Sequence, residues 1–178
     1  MVILGIGNIL QKDDGFGVYA AMYLKENYTF SKNIDIINGG VEGINLLDVF
    51  IENDKIIILD TIGLEDTAGS LYVIPTHELG GYGLNSGGAH EVGVLQCLDM
   101  LELQGKELPE AFVIGIVPAE VTFDISLSEE LMYAFDDYIK IVLHKLKNYD
   151  IVAERKKKVV SLKTIIRRVK DPSGVLID

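Results

Sequence analysis

Three polar side chains fall where the strand ends of a parallel sheet would meet. Asp14 opens the first predicted helix just beyond the first predicted strand, Asp60 ends the apolar strand at 55–61, and His90 begins a helix after a glycine-rich loop at 80–88. If these strands run parallel, the three side chains approach the edge of the sheet where ligands bind in such folds. Two carboxylates and an imidazole make a good divalent-metal site with positions open for water or a substrate. Ligands of this kind suit nickel, zinc, cobalt or manganese and do not choose among them.

Each of these three residues also has an ordinary structural interpretation. Asp14 is a favourable charge at a helix N-terminus, an effect of a few tenths to ~1 kcal/mol. Asp60 is a turn residue after a strand, and His90 caps its helix. Polar residues at strand ends are common in this fold class, so the spacing alone leaves these interpretations open. Two other candidates are weaker, because His144 is expected to be solvated on a long helix and Cys97 to be a buried core thiol.

The glycines after the first strand invite comparison with a dinucleotide-binding fingerprint. Gly5 and Gly7 match its first two positions, but Leu10 stands where the third glycine is needed for close helix packing. No acid ends the second predicted strand to hold a ribose hydroxyl, since Asn38 stands there. Asp13 and its neighbour would also repel a pyrophosphate. A nucleotide site is therefore disfavoured, and the glycines are explained by a tight turn.

Strand and helix patterns alternate along most of the chain. The clearest strand, at 55–61, is continuous and branched, as a strand covered on both faces should be. The short return before 70–75 predicts a hairpin, so that strand is expected to be antiparallel. The alternation predicts an α/β fold, a three-layer αβα sandwich with a mainly parallel, mixed five-stranded sheet. The remaining strands are predicted at 2–7, 34–38 and 111–117, and the helices at 14–28, 43–53, 90–103 and 128–147.

The composition is that of an ordinary globular chain of one domain, with 178 residues of which 48% are hydrophobic. No apolar run reaches the ~18 residues that a membrane span needs. The single cysteine excludes an internal disulfide and favours a reducing cytoplasm. The net charge of −11 argues against nucleic acid as a partner, because phosphate binding needs a basic surface. It suits a cation, a partner protein with a basic patch, or simple solubility.

Charge separates a predicted α/β domain at 1–150 from a basic amphipathic C-terminal extension at 151–178. Residues 154–178 carry eight basic and three acidic side chains, a net charge of +5, so the rest of the chain carries −16. A basic amphipathic helix can bind anionic membranes or acidic proteins. Docking on the chain's own acidic body is the favoured alternative, because it also satisfies the charge asymmetry. The apolar residues of the predicted helix, within 152–170, are Val159, Leu162, Ile166 and Val169.

The order of the motifs over about residues 1–147 matches one known family. The matching segments are 5–10 with 13–17, the turn Asn38-Gly39-Gly40, 57–60 and 86–91. On these segments the chain resembles the hydrogenase maturation proteases. These are endopeptidases that trim the C-terminus of the large subunit of a nickel-containing hydrogenase.

The resemblance implies roles for the three polar residues at the predicted sheet edge. In the family the matching residues coordinate a metal, which carries over to Asp14, Asp60 and His90 as metal-binding and catalytic residues. The implied metal is the nickel already inserted in the precursor of the large subunit, although another divalent metal could occupy the site in a crystal. The protease then checks insertion, because it cuts only nickel-loaded precursor.

A second matched segment implies a substrate contact. The turn Asn38-Gly39-Gly40 resembles a family loop that helps substrate recognition. Asn38 and Val41 replace the acid and the threonine of that loop, so a charge and a hydroxyl are lost. The implied partner is the large-subunit precursor.

The mechanism follows as a hypothesis with one open step. The metal would position the scissile peptide and polarise its carbonyl or a water molecule. An aspartate not fully committed to the metal could act as general base, which makes the chemistry aspartyl protease-like. Either water or a carboxylate is compatible with the sequence as the attacking group. The alternative from another class is a non-catalytic nickel-sensing scaffold for hydrogenase assembly, which would use the same three residues and cut nothing.

Overall fold

A computed structural model of the chain describes the backbone of residues 1–82 and 89–174, and the side chains of residues 1–79 and 93–174. Three short 3₁₀ turns, at Lys12–Gly15, Gly43–Leu46 and Thr76–Tyr82, accompany the helices of the described chain. The strands are β1 (Val2–Ile6), β2 (Tyr28–Phe30), β3 (Asp35–Gly40), β4 (Lys55–Thr61), β5 (Leu71–Pro75), β6 (Glu110–Ile116) and β7 (Ala153–Arg155). The helices are α1 (Phe16–Asn27), α2 (Leu47–Glu52), α3 (Ala89–Leu103), α4 (Glu129–Lys147) and α5 (Leu162–Lys170).

Five of these strands form one mixed sheet in the order β3-β1-β4-β6-β5. β1 pairs in parallel with β3 and β4, and β4 pairs in parallel with β6. β5 alone in this sheet is antiparallel, and it pairs with β6. The predicted mainly parallel, five-stranded sheet is therefore confirmed.

The prediction that β5 forms a hairpin with β4 is wrong, because β6 lies between the two strands. β5 is antiparallel, as predicted, but its partner is β6. The chain leaves β4 and crosses the end of β6 before it returns as β5. The Ile62 N–H donates to the Ile116 carbonyl at 2.9 Å, and the Gly69 N–H donates to the Val117 carbonyl at 2.8 Å. These bonds hold the connection against β6, so a short return does not make its two flanking strands neighbours.

Helices cover both faces of the sheet, which confirms the three-layer sandwich. Alternate residues of the central strands point to opposite faces. Ile3 and Ile57 pack with the buried side chains of α1, α4 and α5. Ile56 and Ile58 pack on the other face, with side chains of α2 and α3 that include Cys97. Cys97 is a free, fully buried thiol, as predicted, and burial raises its pKa.

The C-terminal extension packs on the body of the protein, with corrections to its predicted structure. Its helix begins at Leu162 and not near residue 152, because Ser161 caps it by accepting the Thr164 N–H at 3.1 Å. The preceding β7 pairs with β2 in a separate two-stranded sheet. Leu162 and Ile165 are buried in the core beside α1, whereas Val159 lies outside the helix. The extension is thus docked rather than projecting.

Ion pairs accompany this docking. Arg168 contacts Glu26 of α1 at 2.9 Å, and Lys170 lies 3.6 Å from Asp124. Both are exposed pairs of the kind that contributes little to stability, so burial of apolar side chains provides most of the attachment. None of the helices within residues 1–82 and 89–174 combines the length and the apolar character needed to cross a membrane.

The first turn of α1 lies directly on the ends of β1 and β4. A Cβ atom at Gly17 would stand 2.0 Å from the Leu59 carbonyl oxygen and 2.5 Å from that of Ile6. No side chain fits at such distances, so a glycine is required for the helix to approach the sheet. This contact places the turn at Lys12–Gly15 at the carboxyl ends of two strands.

We expect Gly17→Ala to lower the free energy of unfolding by about 3 kcal/mol, because the methyl group forces α1 away from the sheet. Gly63→Ala is the matched control, since a Cβ atom there meets nothing within 4 Å. That control is expected to change stability by less than about 0.5 kcal/mol. Urea unfolding followed by circular dichroism measures both, and equal midpoints would contradict the close packing.

Candidate active site

Asp14 is held at the end of β1 by the backbone that follows the strand. Gly7 adopts a φ of +134°, and a Cβ atom there would lie 1.9 Å from the Asp14 carbonyl oxygen. After this turn the Asn8 N–H donates to Asp14 Oδ2 at 2.9 Å. Asp14 is partly buried, so its orientation is fixed while it keeps access to solvent. The glycine singled out as a nucleotide-binding signal is therefore explained by the close approach of the turn.

Asp60 lies at the end of β4 and is joined to Asp14 through a threonine. The Thr61 N–H donates to Asp60 Oδ1 at 2.8 Å, and the Thr61 hydroxyl donates to Asp14 Oδ1 at 3.5 Å. Asp60 is only 2% exposed. The structure thus brings together two of the three residues that the sequence places at this edge, and it adds Thr61, which no spacing argument identified.

A buried tyrosine lies behind Asp60. The hydroxyl of Tyr138, on α4, donates to the Ile114 carbonyl of the neighbouring strand. Burial, and then the nearby negative charge of Asp60, hold the pKa of Tyr138 well above its usual value of about 10. The phenol therefore stays protonated and neutral, so it adds no second negative charge beside the carboxylate.

Asp13 is a structural residue that sequence analysis missed. Its side chain is completely buried. Oδ2 accepts the N–H groups of Ala119 and Glu120 at 3.0 and 2.9 Å, and Oδ1 accepts the N–H of Ser128 at 2.7 Å. Asp13 thereby fastens the loop after β6 and the N-terminus of α4 to the turn that carries Asp14. Its neighbours in sequence give no sign of this role, because all three donors lie more than 100 residues away.

The loop fastened by Asp13 forms an exposed rim beside the site. Its backbone is bonded to the turn, with the Lys12 N–H donating to the Asp124 carbonyl at 2.8 Å. The Lys12 ammonium also pairs with the Glu120 carboxylate, which raises the lysine pKa and lowers that of the glutamate. Phe123 is 86% exposed on this rim, although the backbone around it is well tied. An exposed aromatic on a held loop is suited to contact with another protein.

The predicted substrate loop lies against the same turn. Residues Gly7 to Leu10 and Asn38 to Glu42 line an open cavity of about 450 Å³. The Gly7 N–H donates to the Gly40 carbonyl at 3.0 Å, which joins the loop to the segment that orients Asp14. Asn38 is exposed and Gly39 is buried. Any chain that reaches Asp14 from this side therefore passes the turn Asn38-Gly39-Gly40.

The backbone at His90 lies in the first turn of α3, which begins at Ala89. Its side chain, and residues 83–88 of the glycine-rich loop before it, lie outside the described residues. Among the side chains that are described, no three His, Cys, Asp or Glu residues come together in a way that could hold a metal. Metal binding by Asp14, Asp60 and His90 stays a prediction. His144 is exposed on α4, as expected.

Comparisons with known proteins converge on one family. A family model described as hydrogenase maturation protease matches residues 18–145. A putative hydrogenase maturation protease of Methanocaldococcus jannaschii is 34% identical over 152 residues, which cover 83% of this chain and 96% of that protein. The hydrogenase 2 maturation protease of Escherichia coli is 25% identical over 154 residues, 86% of this chain and 94% of that protein.

Solved structures agree with the sequence relatives. The hydrogenase-maturating endopeptidase HybD of E. coli has a TM-score of 0.81 and 25% identity, and the match covers 87% of this chain and 96% of that one. The [NiFe] hydrogenase maturation protease HybD of Thermococcus kodakarensis has a TM-score of 0.66 and 27% identity, covering 82% and 97% of the two chains.

We expect Asp13→Ala to lower the free energy of unfolding by about 3 kcal/mol or more, because three N–H groups lose a charged acceptor and the fully buried site of that carboxylate is left empty. Asp13→Asn should lie between this variant and the wild type, since one amide oxygen can replace one carboxylate oxygen but the amide nitrogen accepts nothing. Asp99→Ala removes an exposed carboxylate and is the control, with an expected change below about 0.5 kcal/mol. Denaturant titration at neutral pH measures all three, and an Asp13→Ala variant as stable as the control would contradict the anchoring role.

Proposed function

Because the chain belongs to the hydrogenase maturation protease family and is an endopeptidase, we propose that it removes a C-terminal peptide from the precursor of a nickel-containing hydrogenase large subunit. The cut follows nickel insertion, and the reaction takes place in the cytoplasm. The family match and the coverage of whole relatives support the reaction class. The site geometry supports the assignment of Asp14 and Asp60.

The pair of carboxylates joined by Thr61 is the observation that carries this proposal. Asp14 and Asp60 come from segments 46 positions apart in sequence, and one threonine bonds to both. Two oriented carboxylates at the carboxyl ends of parallel strands offer the oxygen ligands that a divalent ion requires. We assign Asp14, Asp60 and His90 to recognition of the nickel that the precursor carries.

Nickel is part of the substrate in this proposal and not a resident cofactor. A site of two carboxylates and one imidazole leaves coordination positions for groups of the precursor. A precursor without nickel then lacks the ion that orders the three side chains around the scissile peptide, so its cleavage is slow. Cleavage is thus coupled to the completion of insertion.

The two carboxylates have different surroundings in the protein. Asp60 is enclosed by the sheet and by the neutral phenol of Tyr138, whereas Asp14 is partly exposed beside the open cavity. Such a carboxylate, next to solvent and oriented by Asn8 and Thr61, is suited to act as general base on the approaching substrate. The turn Asn38-Gly39-Gly40 lines the path that the substrate takes.

We expect Asp14→Ala, Asp60→Ala and His90→Ala each to reduce cleavage of nickel-loaded precursor by about 100-fold or more, because each removes a ligand or a proton acceptor. Asp60→Asn is a sharper variant, since its amide oxygen can still accept the Thr61 N–H while the charge is lost. His144→Ala, at an exposed position of α4, is the matched histidine control. Mass spectrometry of the precursor over time gives the rates, and thermal unfolding checks that each variant is folded.

The same assay separates nickel recognition from proteolysis. Wild-type cleavage of loaded and nickel-free precursor at equal rates would contradict nickel recognition and leave the protease assignment intact. Binding of loaded precursor without any loss of mass would instead favour a nickel-sensing scaffold. Full activity in all three folded alanine variants would contradict the residue assignment.

A further inference from the structure

β3 is an edge strand with an unpaired side. It pairs with β1 on one side, and within the described residues no strand pairs with the other. Its sequence, Asp35 to Gly40, contains no proline or lysine. Natural edge strands commonly carry such residues, because an open edge offers N–H and C=O groups to any extended chain. This edge is therefore competent to receive a further strand.

The outward backbone groups of β3 belong to Ile36 and Asn38. The Asp35 N–H donates at 3.3 Å to the carbonyl of Met1, the residue before β1, so the backbone groups of Asp35 point inward. Direction alternates along a strand, and the groups of Ile36 and Asn38 therefore point away from β1. The Gly40 carbonyl again points inward, where it accepts the Gly7 N–H at 3.0 Å, after an irregular register at Gly39. Two residues thus present four hydrogen-bonding groups.

Two cavities lie along this edge and meet at Asn38. One, of about 270 Å³, is lined by Met22 and Lys25 of α1 together with Ile36 and Asn38. The other is the cavity of about 450 Å³ beside the Asp14 turn, which Asn38 also lines. A strand laid on the edge would find a pocket for one of its side chains and a path from there to Asn8, whose N–H orients Asp14. Backbone bonding with pockets for alternate side chains is how extended peptides bind sheet edges.

We propose that the C-terminal peptide removed from the precursor pairs as an antiparallel strand with the open edge of β3. The peptide runs from the site past Asn38 to Ile36. This inference rests on the proposed function, because it takes the substrate to be a large-subunit precursor. β3 runs toward the site, so an antiparallel partner has its N-terminal end at the site and continues away from it. The leaving peptide runs in this direction away from the scissile bond. The folded body of the precursor stays beyond the strand ends with its nickel.

Strand spacing sets the length of peptide that this mode requires. Neighbouring strands lie about 4.8 Å apart, so an added strand outside β3 lies roughly 10 Å from β1, whose end carries Asp14. About three extended residues cross this gap through the larger cavity, at roughly 3.4 Å for each residue. Three more reach from Asn38 to Ile36. A leaving peptide of about six residues or more can pair fully, and one of three residues cannot reach the edge.

The test compares Ile36→Pro with Ile36→Ala on nickel-loaded precursor. Both variants lose the same side chain, but only proline loses the outward N–H, and an edge strand tolerates proline at such a position. We expect KM to be about tenfold higher for the proline variant than for the alanine variant, with the effect on KM rather than on kcat, since one hydrogen bond of about 1.4 kcal/mol is tenfold. On a precursor whose leaving peptide is shortened to three residues, the two variants should have equal KM. Equal KM on the full-length precursor would overturn the proposal.

A second measurement follows the amides of the strand edge directly. Loaded precursor is added to the Asp60→Asn protein, and amide hydrogen exchange at Ile36 and Asn38 is read by NMR. Slower exchange at both amides supports the pairing, and unchanged exchange in a complex that forms overturns it. A dimer of the free chain that Ile36→Pro dissociates would overturn it too, because a second copy then occupies the edge. A wild-type protein that binds precursor and protects both amides but releases no peptide would contradict the protease function alone.

Discussion

The contact between the backbone of Gly17 and the carbonyl groups of Leu59 and Ile6 is the constraint on which the site depends. It brings the axis of α1 closer to the sheet than any side chain would allow. The preceding turn therefore lies against the ends of β1 and β4, where Gly7 leaves room for the Asp14 backbone. In this position the Thr61 hydroxyl lies 3.5 Å from Asp14 Oδ1 and donates to it. An aspartate on a separate loop would need its own support, whereas Asp14 is supported by the main packing of the fold.

Two adjacent aspartates in this turn have different surroundings, because the 3₁₀ conformation points their side chains in different directions. Asp13 points inward, and three N–H donors make its burial favourable, since a buried carboxylate without such partners is strongly destabilising. Asp14 instead accepts the Asn8 N–H and the Thr61 hydroxyl, and it remains partly exposed. The inward aspartate fixes the turn and the rim loop together, and the outward one is presented on that fixed base. Identical side chains thus differ in burial and in hydrogen-bond partners through backbone geometry alone.

The strands of the main sheet and the proximity of Asp14 and Asp60 could be predicted from sequence, because parallel strands covered on both faces are continuous apolar runs and their polar ends mark one edge. The runs around Ile57 and Ile114 contain this information locally. The strand that pairs with β5 cannot be identified from local sequence, because a connection of the same length can close a hairpin or cross another strand. The role of Asp13 was equally hidden, because its donors are distant in sequence. In the extension, Ser161 caps the helix and so decides where it begins. An apolar repeat cannot show that the residues before this cap pair with β2.

The strand order gives the site a closed side and an open side. Asp60 lies on β4, which has β1 and β6 as neighbours, so its carboxylate is enclosed and is backed by the protonated Tyr138. Asp14 follows β1, which is separated from solvent only by the single strand β3. An enzyme that binds a small molecule gains nothing from an accessible edge so close to its chemistry. In the proposed reaction the substrate is a peptide attached to a folded body, and the chain beyond the scissile bond needs such an edge in order to leave sideways. The position of β3 at the edge of the sheet thus fits the proposed removal of a C-terminal peptide.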